Sequence, residues 1–238
     1  MSLDLITHTN GKSPISEAYR TLRTNIQFSN VDKPIKTLVI TSSMMSEGKT
    51  TTLTNLAETF AQAGNRVIIV DADLRRPYVH KIMGISNQQG VTNVLAGQVD
   101  LKDTVQVAGS QIHVLTSGPI PPNPSELLGS TKMKDLLQLL SEHYDIVLID
   151  APPVNMVTDA AILSTFVDGV VLAIASGKTE IESGKRALKS LEAVNANVLG
   201  AVMTLVPVTK KGYYSYQYYS YEEGAENKKK RKWFGKKK

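Results

Sequence analysis

The chain of 238 residues has no cysteine and one tryptophan, and aromatic residues make up only 6% of it. Without cysteine, disulfides and thiolate metal sites are excluded. No apolar run approaches the roughly 18 residues that a membrane-spanning helix needs, and the N-terminus lacks the basic flank and apolar core of a signal peptide. The remaining composition, 42% hydrophobic and 21% charged, is ordinary for a globular protein. We therefore expect a soluble cytoplasmic protein.

Positive charge is concentrated at one end of the chain. The net charge is +5, but residues 228–232 and 236–238 alone carry eight positive charges and no negative ones. Without these two runs the rest of the chain is mildly acidic, at −3. A basic nucleic-acid-binding face on the folded domain is therefore not expected.

Apolar runs alternate with stretches of helical periodicity along most of the chain. Strands are predicted at 37–41, 66–71, 112–116, 145–150, 169–175 and 197–206, and helices at 16–27, 50–63, 125–143, 158–166 and 180–194. Two short helices are expected near 78–83 and 91–95. This alternation predicts one α/β domain, residues 15–207, with a mostly parallel sheet covered by helices on both faces. Residues 1–14 are predicted to be a flexible N-terminus, and 208–238 a flexible tail.

Residues 41–50, T-S-S-M-M-S-E-G-K-T, follow the apolar run 38–40 and precede a predicted helix. A strand, a loop and a helix N-terminus in this order present backbone N–H groups to a polyphosphate. Lys49 is expected to reach the β- and γ-phosphates of ATP, and the Thr50 hydroxyl to bind Mg²⁺. The full pattern G-x-x-x-x-G-K-[ST] has glycine where this chain has Ser43. The predicted nucleotide-binding residues are Ser43, Met44, Met45, Ser46, Glu47, Gly48, Lys49, Thr50 and Thr51.

Two other predicted strands end in aspartate. Asp71 and Asp73 close the run that begins at residue 67, and Asp150 closes the run 146–149. A single such aspartate is more often a strand terminator or a helix cap. Three strand ends that meet at one edge of a parallel sheet, one of them carrying a phosphate loop, instead predict a nucleotide–Mg²⁺ site. Thr50, Asp71, Asp73 and Asp150 are the candidate metal ligands, some of them through water.

A cluster of tyrosines follows the last predicted strand. Six tyrosines fall within residues 213–221, and they are accompanied by Ser and Gln but by no aliphatic residue. A disordered tail of accessible phenols explains this composition better than a strand does. The candidate phosphorylation sites are Tyr213, Tyr214, Tyr216, Tyr218, Tyr219 and Tyr221.

Together these motifs resemble the bacterial protein-tyrosine kinases of capsule and exopolysaccharide synthesis, in particular the cytoplasmic kinase subunit whose activator is a separate membrane protein. The resemblance covers about residues 16–221. It rests on S-E-G-K-T at 46–50, D-A-D-L-R-R-P at 71–77, T-S-G-P-I-P-P-N-P-S-E-L-L at 116–128, L-I-D-A-P-P at 148–153 and the tyrosine cluster. Members of the family usually have Pro-Gly where this chain has Met45 and Ser46.

The resemblance implies a P-loop kinase that uses ATP and Mg²⁺ and phosphorylates its own tyrosine cluster. Lys49 would neutralise the transferring phosphate, and Asp71 corresponds to the aspartate that accepts the tyrosine proton. Asp73 and Asp150 correspond to residues that orient the metal or its waters. Two readings of the neighbouring Arg75 and Arg76 stay open: they bind phosphate, or they are solvated surface residues.

The resemblance also implies an assembly. Residues 17–23 fit its E-x-x-R-x-x-R helix, which makes Glu17, Arg20 and Arg23 the candidate interface of a homo-oligomeric ring of eight copies. A transmembrane activator of the polysaccharide co-polymerase type would recruit the protein to the inner face of the cell membrane. Exogenous tyrosine-bearing proteins are further candidate substrates. The basic end could contact anionic lipid, or simply keep the tyrosine-rich tail soluble.

Two other functions fit part of the sequence. A partitioning or positioning ATPase shares the fold and the aspartates, but it carries an early lysine where this chain has Met44. A non-catalytic, nucleotide-sensing regulator of polysaccharide assembly would have no need of the complete set of acidic residues. The tyrosine cluster favours the kinase over the partitioning ATPase.

Overall fold

A computed structural model describes residues 5–30 and 33–207. The chain divides into two units, residues 1–205 and 206–238. The tyrosine cluster and the basic end lie outside the described residues, so the predictions made for them stay predictions.

A seven-stranded sheet forms the centre of the first unit. Its strands are β1 (Thr37–Ser42), β2 (Val67–Asp71), β3 (Gln106–Ala108), β4 (Ile112–Leu115), β5 (Ile146–Asp150), β6 (Gly169–Ala175) and β7 (Val198–Thr204). Their order across the sheet is β3-β4-β2-β5-β1-β6-β7. Every pairing is parallel except that of β3 with β4. The predicted mostly parallel sheet is therefore confirmed.

Ten helices are present in the described part of the chain. They are α1 (Ile6–Thr9), α2 (Pro14–Gln27), α3 (Lys49–Gln62), α4 (Val79–Met83), α5 (Val91–Leu95), α6 (Leu101–Thr104), α7 (Pro124–Leu128), α8 (Thr131–His143), α9 (Asp159–Ser164) and α10 (Ile181–Glu192). Among residues 5–30 and 33–207, none of these helices has the length and apolar character needed to cross a bilayer.

Two separate cores show that helices cover both faces of the sheet. Side chains alternate along β1, so that Leu38 and Ile40 face one core and Val39 the other. The first core contains residues of α2, α3 and α4, and the second contains residues of α5, α7, α8, α9 and α10. The central strands β1, β2 and β5 are buried throughout, as expected for parallel strands covered on both sides.

The prediction that residues 1–14 are flexible is wrong for residues 5–14. Residues 6–9 form α1, and Leu5 and Thr7 are fully buried. Thr7 donates its hydroxyl to the Asn55 side chain over 2.9 Å, which ties α1 to α3. The second helix begins at Pro14 rather than at Ser16, because Ser13 is its N-cap and accepts the Ser16 N–H. A proline in the first turn suits a helix start, since its missing N–H has no partner there.

The helix predicted over 125–143 and two short elements also differ from the sequence prediction. The single helix expected over 125–143 is two helices, interrupted at Gly129 and Ser130, and Ser130 caps the second. Strand β3 and helix α6 were not predicted; each has four residues or fewer. Such short elements carry too few residues to show a period.

The topology places the predicted site residues at one edge of the sheet. Strands β2, β5 and β1 are adjacent, and all three run in the same direction. Asp71 at the end of β2 pairs in register with Asp150 at the end of β5. The loop after β1 leads directly into α3 at Lys49.

Candidate active site

Residues 43–48 form a tight loop between β1 and α3. Gly48 precedes the helix in the left-handed conformation, with φ 81°, and a side chain there would meet Thr204 at 3.4 Å. The left-handed conformation favours glycine, which has no Cβ to strain the backbone. Helix α3 begins directly after this loop, and the N-terminal N–H groups of a helix are suited to binding an anion. Residues 45–51 line a cavity of about 610 Å³.

Lys49 lies between two carboxylates at the base of this cavity. Its Nζ is 2.9 Å from Asp73 Oδ2 and 3.1 Å from Asp150 Oδ2. The Thr50 hydroxyl donates to Asp150 Oδ2 over 2.7 Å. Burial lowers the pKa of Lys49, but attraction to Asp150 and Asp73 outweighs it, and the pKa lies above its ordinary value. The ammonium is therefore charged and held at the carboxyl ends of β2 and β5.

Asp71 lies deeper than Asp73. It is fully buried, and its two carboxylate oxygens accept the backbone N–H groups of Asp73 and Val79 at 3.3 and 3.2 Å. Burial and the neighbouring Asp150 raise the pKa of Asp71 well above its ordinary value, although Lys49 opposes them. Of the three site aspartates, Asp73 is the one that lines the cavity.

One buried oxygen at the site lacks a partner. Asp150 Oδ1 accepts no hydrogen bond in the part of the chain that the structure describes, while Oδ2 receives both Lys49 and Thr50. Burial raises the pKa of Asp150, with Lys49 opposing. An orphaned carboxylate oxygen beside a phosphate-loop threonine fits a Mg²⁺ ion, which prefers oxygen ligands and keeps several of its waters. Among residues 5–30 and 33–207, no group of three acidic or His side chains could hold a metal by itself.

Glu47 holds the loop together, a role that the sequence did not reveal. Its buried carboxylate accepts the Ser43 N–H at 2.8 Å, the Ser43 hydroxyl and the Met44 N–H at 3.0 Å. The Thr179 hydroxyl, between β6 and α10, also donates to it. Ser43 and Met44, predicted to bind nucleotide, thus direct their N–H groups to Glu47, and neither lines the cavity. Ser43 occupies the position where the motif has glycine.

Residues at the carboxyl ends of β6 and β7 also donate hydrogen bonds to the phosphate loop. The Thr204 hydroxyl, at the end of β7, donates to the Glu47 carbonyl over 2.6 Å. The Lys178 ammonium donates to the Ser46 carbonyl over 2.8 Å. Thr204 ends one apolar strand and Lys178 lies shortly after another. Neither residue matches a motif, so no sequence signal indicated its role.

The two neighbouring arginines have different surroundings. Arg75 forms a bidentate salt bridge with the buried Asp159, at 2.9 and 3.1 Å, and also donates to the Ser125 hydroxyl. Arg76 is exposed at the cavity, and its Nη1 contacts Met45 Sδ at 3.1 Å. Arg75 is therefore a structural residue neutralised by its partner, and Arg76 is the arginine that keeps its charge available.

The predicted interface residues lie along α2 but do not share one environment. Arg20 pairs with Glu17 at 2.7 Å and also donates to the Gly11 carbonyl. Arg23 donates to the Thr59 carbonyl of α3 over 2.6 Å. Glu17 is exposed, whereas Arg23 anchors α2 to its own domain.

Comparison with known proteins defines the class. Residues 35–202 match the family model of an AAA domain. The chain is 45% identical over 217 residues to tyrosine-protein kinase YwqD of Bacillus subtilis (strain 168), covering 91% of this chain and 92% of that protein. It is 40% identical over 215 residues to the putative tyrosine-protein kinase CapB of Staphylococcus aureus, covering 90% and 94%.

A longer relative and its solved structure agree. Tyrosine-protein kinase etk of Escherichia coli (strain K12) is 36% identical, and the match spans 84% of this chain but 28% of that protein. The solved kinase domain of Escherichia coli tyrosine kinase ETK superposes with a TM-score of 0.85 at 33% identity, covering 88% of this chain and 83% of that one. The chain therefore belongs to the bacterial tyrosine-protein kinases. The predicted family and enzyme class are confirmed.

Proposed function

We propose that this kinase uses ATP and Mg²⁺ to phosphorylate the tyrosine cluster of a neighbouring copy of itself, Tyr213 to Tyr221. The observation that carries the proposal is the position of Lys49 between Asp73 and Asp150, with Thr50 on the same carboxylate, at the base of a cavity. Transfer of a phosphoryl group depends on positioning and charge neutralisation more than on covalent chemistry. These residues can supply both.

The roles follow from the geometry and from the family resemblance. When ATP binds, its phosphates compete with Asp73 and Asp150 for the Lys49 ammonium, so that Lys49 turns toward the β- and γ-phosphates. Thr50 and Asp150 would hold Mg²⁺, with Asp73 acting through water. A bound Mg²⁺ would neutralise charge on the phosphate oxygens.

Asp71 is the proposed acceptor of the tyrosine proton. Its raised pKa makes it a stronger base than an ordinary carboxylate. Because Asp71 is fully buried and does not line the cavity, the tyrosine hydroxyl could approach it only after the neighbouring side chains rearrange when nucleotide binds. Nucleotide binding would thus prepare the base.

Assembly into a ring, which we take to contain eight copies, would bring one copy's tail to its neighbour's cavity. We propose that Glu17 and Arg20 form the contact surface, while Arg23 fixes α2 to α3. A closed ring requires a head-to-tail interface of this kind. Replacing Glu17 and Arg20 by Ala should convert large assemblies to monomers in light scattering, with Lys134→Ala, an exposed cation on α8, as the control. An unchanged mass for the double variant contradicts this interface.

We propose that a transmembrane protein of the polysaccharide co-polymerase type recruits the kinase to the inner face of the membrane and so links tail phosphorylation to capsule or exopolysaccharide synthesis. The family to which the chain belongs supports this proposal. Other tyrosine-bearing proteins would be additional substrates. The basic residues 228–238 would contact anionic lipid there.

The two alternative functions are less well supported. Met44, at the position of the second lysine of a partitioning ATPase, is exposed and turned away from the cavity. A non-catalytic regulator would not need Lys49 held by two carboxylates. The family to which the chain belongs also favours the kinase.

A mixing experiment tests transfer between copies. A full-length Lys49→Met chain, unable to transfer phosphate, is incubated with ATP–Mg²⁺ and an active chain whose six tail tyrosines are replaced by Phe. The Lys49→Met chain should acquire phosphotyrosine, while neither protein should do so alone. If the mixture stays unphosphorylated although the unaltered protein is active, transfer occurs within one chain and the proposal fails.

A further inference from the structure

The position of Lys49 indicates which end of the cavity would receive the tyrosine that accepts the phosphoryl group. Its ammonium points toward the ends of β2 and β5, where Asp73 and Asp150 lie. Lys49 reaches the β- and γ-phosphates in a loop of this type, so the γ-phosphate lies on the β2–β5 side. The acceptor hydroxyl must approach roughly in line with the bond that breaks. The cavity wall formed by the loops after β2 and β5 is therefore the wall beside the acceptor.

Exposed apolar side chains line the cavity on this wall and on the phosphate loop. Met156, after β5, is 47% exposed, and Met45, on the facing side of the phosphate loop, is 39% exposed. Both line the cavity, together with Pro152 and Pro153. Single exposed apolar side chains are ordinary, but a group of them in a concave site is suited to an apolar ligand. Thioether sulfur makes favourable contacts with aromatic rings, and the phenol ring of tyrosine is such a ligand.

Of the two arginines that line the cavity, one has an unpaired charge in the part of the chain that the structure describes. Arg75 is neutralised by Asp159, whereas Arg76 has no carboxylate partner among residues 5–30 and 33–207. The Arg76 backbone N–H donates to Asp73 Oδ1 at 3.1 Å, so the residue is fixed to the reacting end of the cavity. Its guanidinium contacts Met45. An acceptor ring seated between Met45 and Met156 would thus have a free guanidinium beside it.

The chain's own tail contains one tyrosine suited to that charge. Tyr221 is followed directly by Glu222 and Glu223, whereas Ser, Gln or another Tyr follows each of the other five. A guanidinium and a carboxylate form strong, bidentate hydrogen bonds.

We propose that Met45 and Met156 seat the acceptor tyrosine ring and that Arg76 selects tyrosines with an adjacent carboxylate, which makes Tyr221 the first tail tyrosine to be phosphorylated. This inference rests on the proposed phosphorylation of the tail. Once Tyr221 carries phosphate, its own negative charge would present Tyr219, two residues earlier, to the same guanidinium. Modification would then proceed from Tyr221 toward Tyr213.

The test follows each tyrosine by mass spectrometry at early times in the full-length chain with ATP–Mg²⁺. Tyr221 should be modified about tenfold faster than the other tyrosines, the size of one charge-assisted hydrogen bond. The preference should shrink in Arg76→Ala and in Glu222→Gln/Glu223→Gln, and also at high salt, because an exposed ion pair is screened. Arg186→Ala, which removes an exposed cation of α10 that lines a different cavity, should keep the preference.

Charge reversal makes the test specific. Arg76→Glu should lose the preference for Tyr221, and combining it with Glu222→Lys/Glu223→Lys should restore it. Met156→Ala should raise the KM for a tyrosine peptide several-fold and leave the KM for ATP unchanged. Tyrosines modified at equal rates in the parent protein, or an order that Arg76 variants do not change, overturn this inference while leaving tail phosphorylation intact. A tail that acquires no phosphate at all contradicts the proposed function instead.

Discussion

Two buried carboxylates, Glu58 on α3 and Asp71 at the end of β2, differ in what surrounds them. Glu58 accepts hydrogen bonds from the Ser110 hydroxyl and from Gln62 at 3.0 Å, and lies 2.9 Å from His8 Nδ1. Burial raises the pKa of Glu58, but these partners outweigh it, and the pKa lies below its ordinary value. Asp71 is equally buried, yet its nearest charged neighbours include Asp150 and Asp73, and its pKa is raised.

The comparison separates a carboxylate whose partners stabilise its charge from the one that we propose accepts the tyrosine proton. Donors around Glu58 favour its charge, so its ionisation stabilises the folded state. Around Asp71, burial and like charge disfavour ionisation, and the opposing effects of Lys49 and the Val79 N–H do not outweigh them. Strongly perturbed carboxylates of this second kind concentrate at functional sites. The repulsion between Asp71, Asp73 and Asp150 is what a metal ion or a proton would relieve.

Among the substitutions of these buried carboxylates, Asp71→Asn should have the largest effect on activity. Loss of a general base lowers kcat about 10²- to 10⁴-fold. Because the pKa of Asp71 is higher in the folded than in the unfolded chain, its charge costs stability increasingly as the pH rises above the ordinary value of 3.8. Relative to the parent protein, Asp71→Asn should therefore gain melting temperature between pH 4 and pH 8, by about 2–4 °C for each kcal/mol.

Kinase assays and thermal melts at both pH values check this prediction. Asp135→Asn, an exposed position on α8, is the control and should change neither measurement. Asp73→Asn should also be impaired, but its defect should decrease at high Mg²⁺ if Asp73 positions the metal. An active Asp71→Asn beside an inactive Asp73→Asn would show that the two roles are reversed.

Glu47 is intermediate between these two carboxylates. It is buried in the phosphate loop, as part of the site, but like Glu58 it accepts several hydrogen bonds. Glu47→Gln keeps the size of the side chain, but it is uncharged and its single carbonyl oxygen cannot accept all the hydrogen bonds that Ser43, Met44 and Thr179 donate to the carboxylate. The loop should lose its fixed shape, and ATP should bind about 10- to 100-fold more weakly, the cost of one or two lost charge-assisted hydrogen bonds. Calorimetric titration with ATP measures this loss. Glu180→Gln, exposed beside the same loop, should bind ATP normally; equal affinities for both variants would contradict the role of Glu47.

The sequence predicted the central features because they depend on local patterns. Buried strands that end at Asp71 and Asp150, and a loop that ends in Gly48 and Lys49, have recognisable periods and residues, and parallel topology brings them together. The clamps at Thr179 and Thr204 depend on contacts with Glu47 more than 130 residues away. The difference between Arg75 and Arg76 depends on Asp159, which no motif indicates. Helix α1 was missed because its order comes from packing on α3 rather than from its own four residues.

Glu58→Gln should have the smallest effect, and on stability alone. Glu58 lies nine residues beyond Lys49 along α3, about 13 Å at 1.5 Å per residue, so kinase activity and the KM for ATP should not change. The free energy of unfolding should fall by about 1–3 kcal/mol at pH 7, because Gln cannot replace the charged acceptor for Ser110, His8 and Gln62. The pKa of Glu58 is lower in the folded chain, so its charge stabilises the fold above the ordinary value of 4.5 and this contribution is lost as the pH falls through the folded pKa. Urea unfolding should accordingly show a deficit at pH 7 that shrinks toward pH 3, with Glu142→Gln, exposed on α8, as the unaffected control. A deficit independent of pH would mean that Glu58 stabilises α1 and α3 by packing, and the contrast with Asp71 would then not be one of charge.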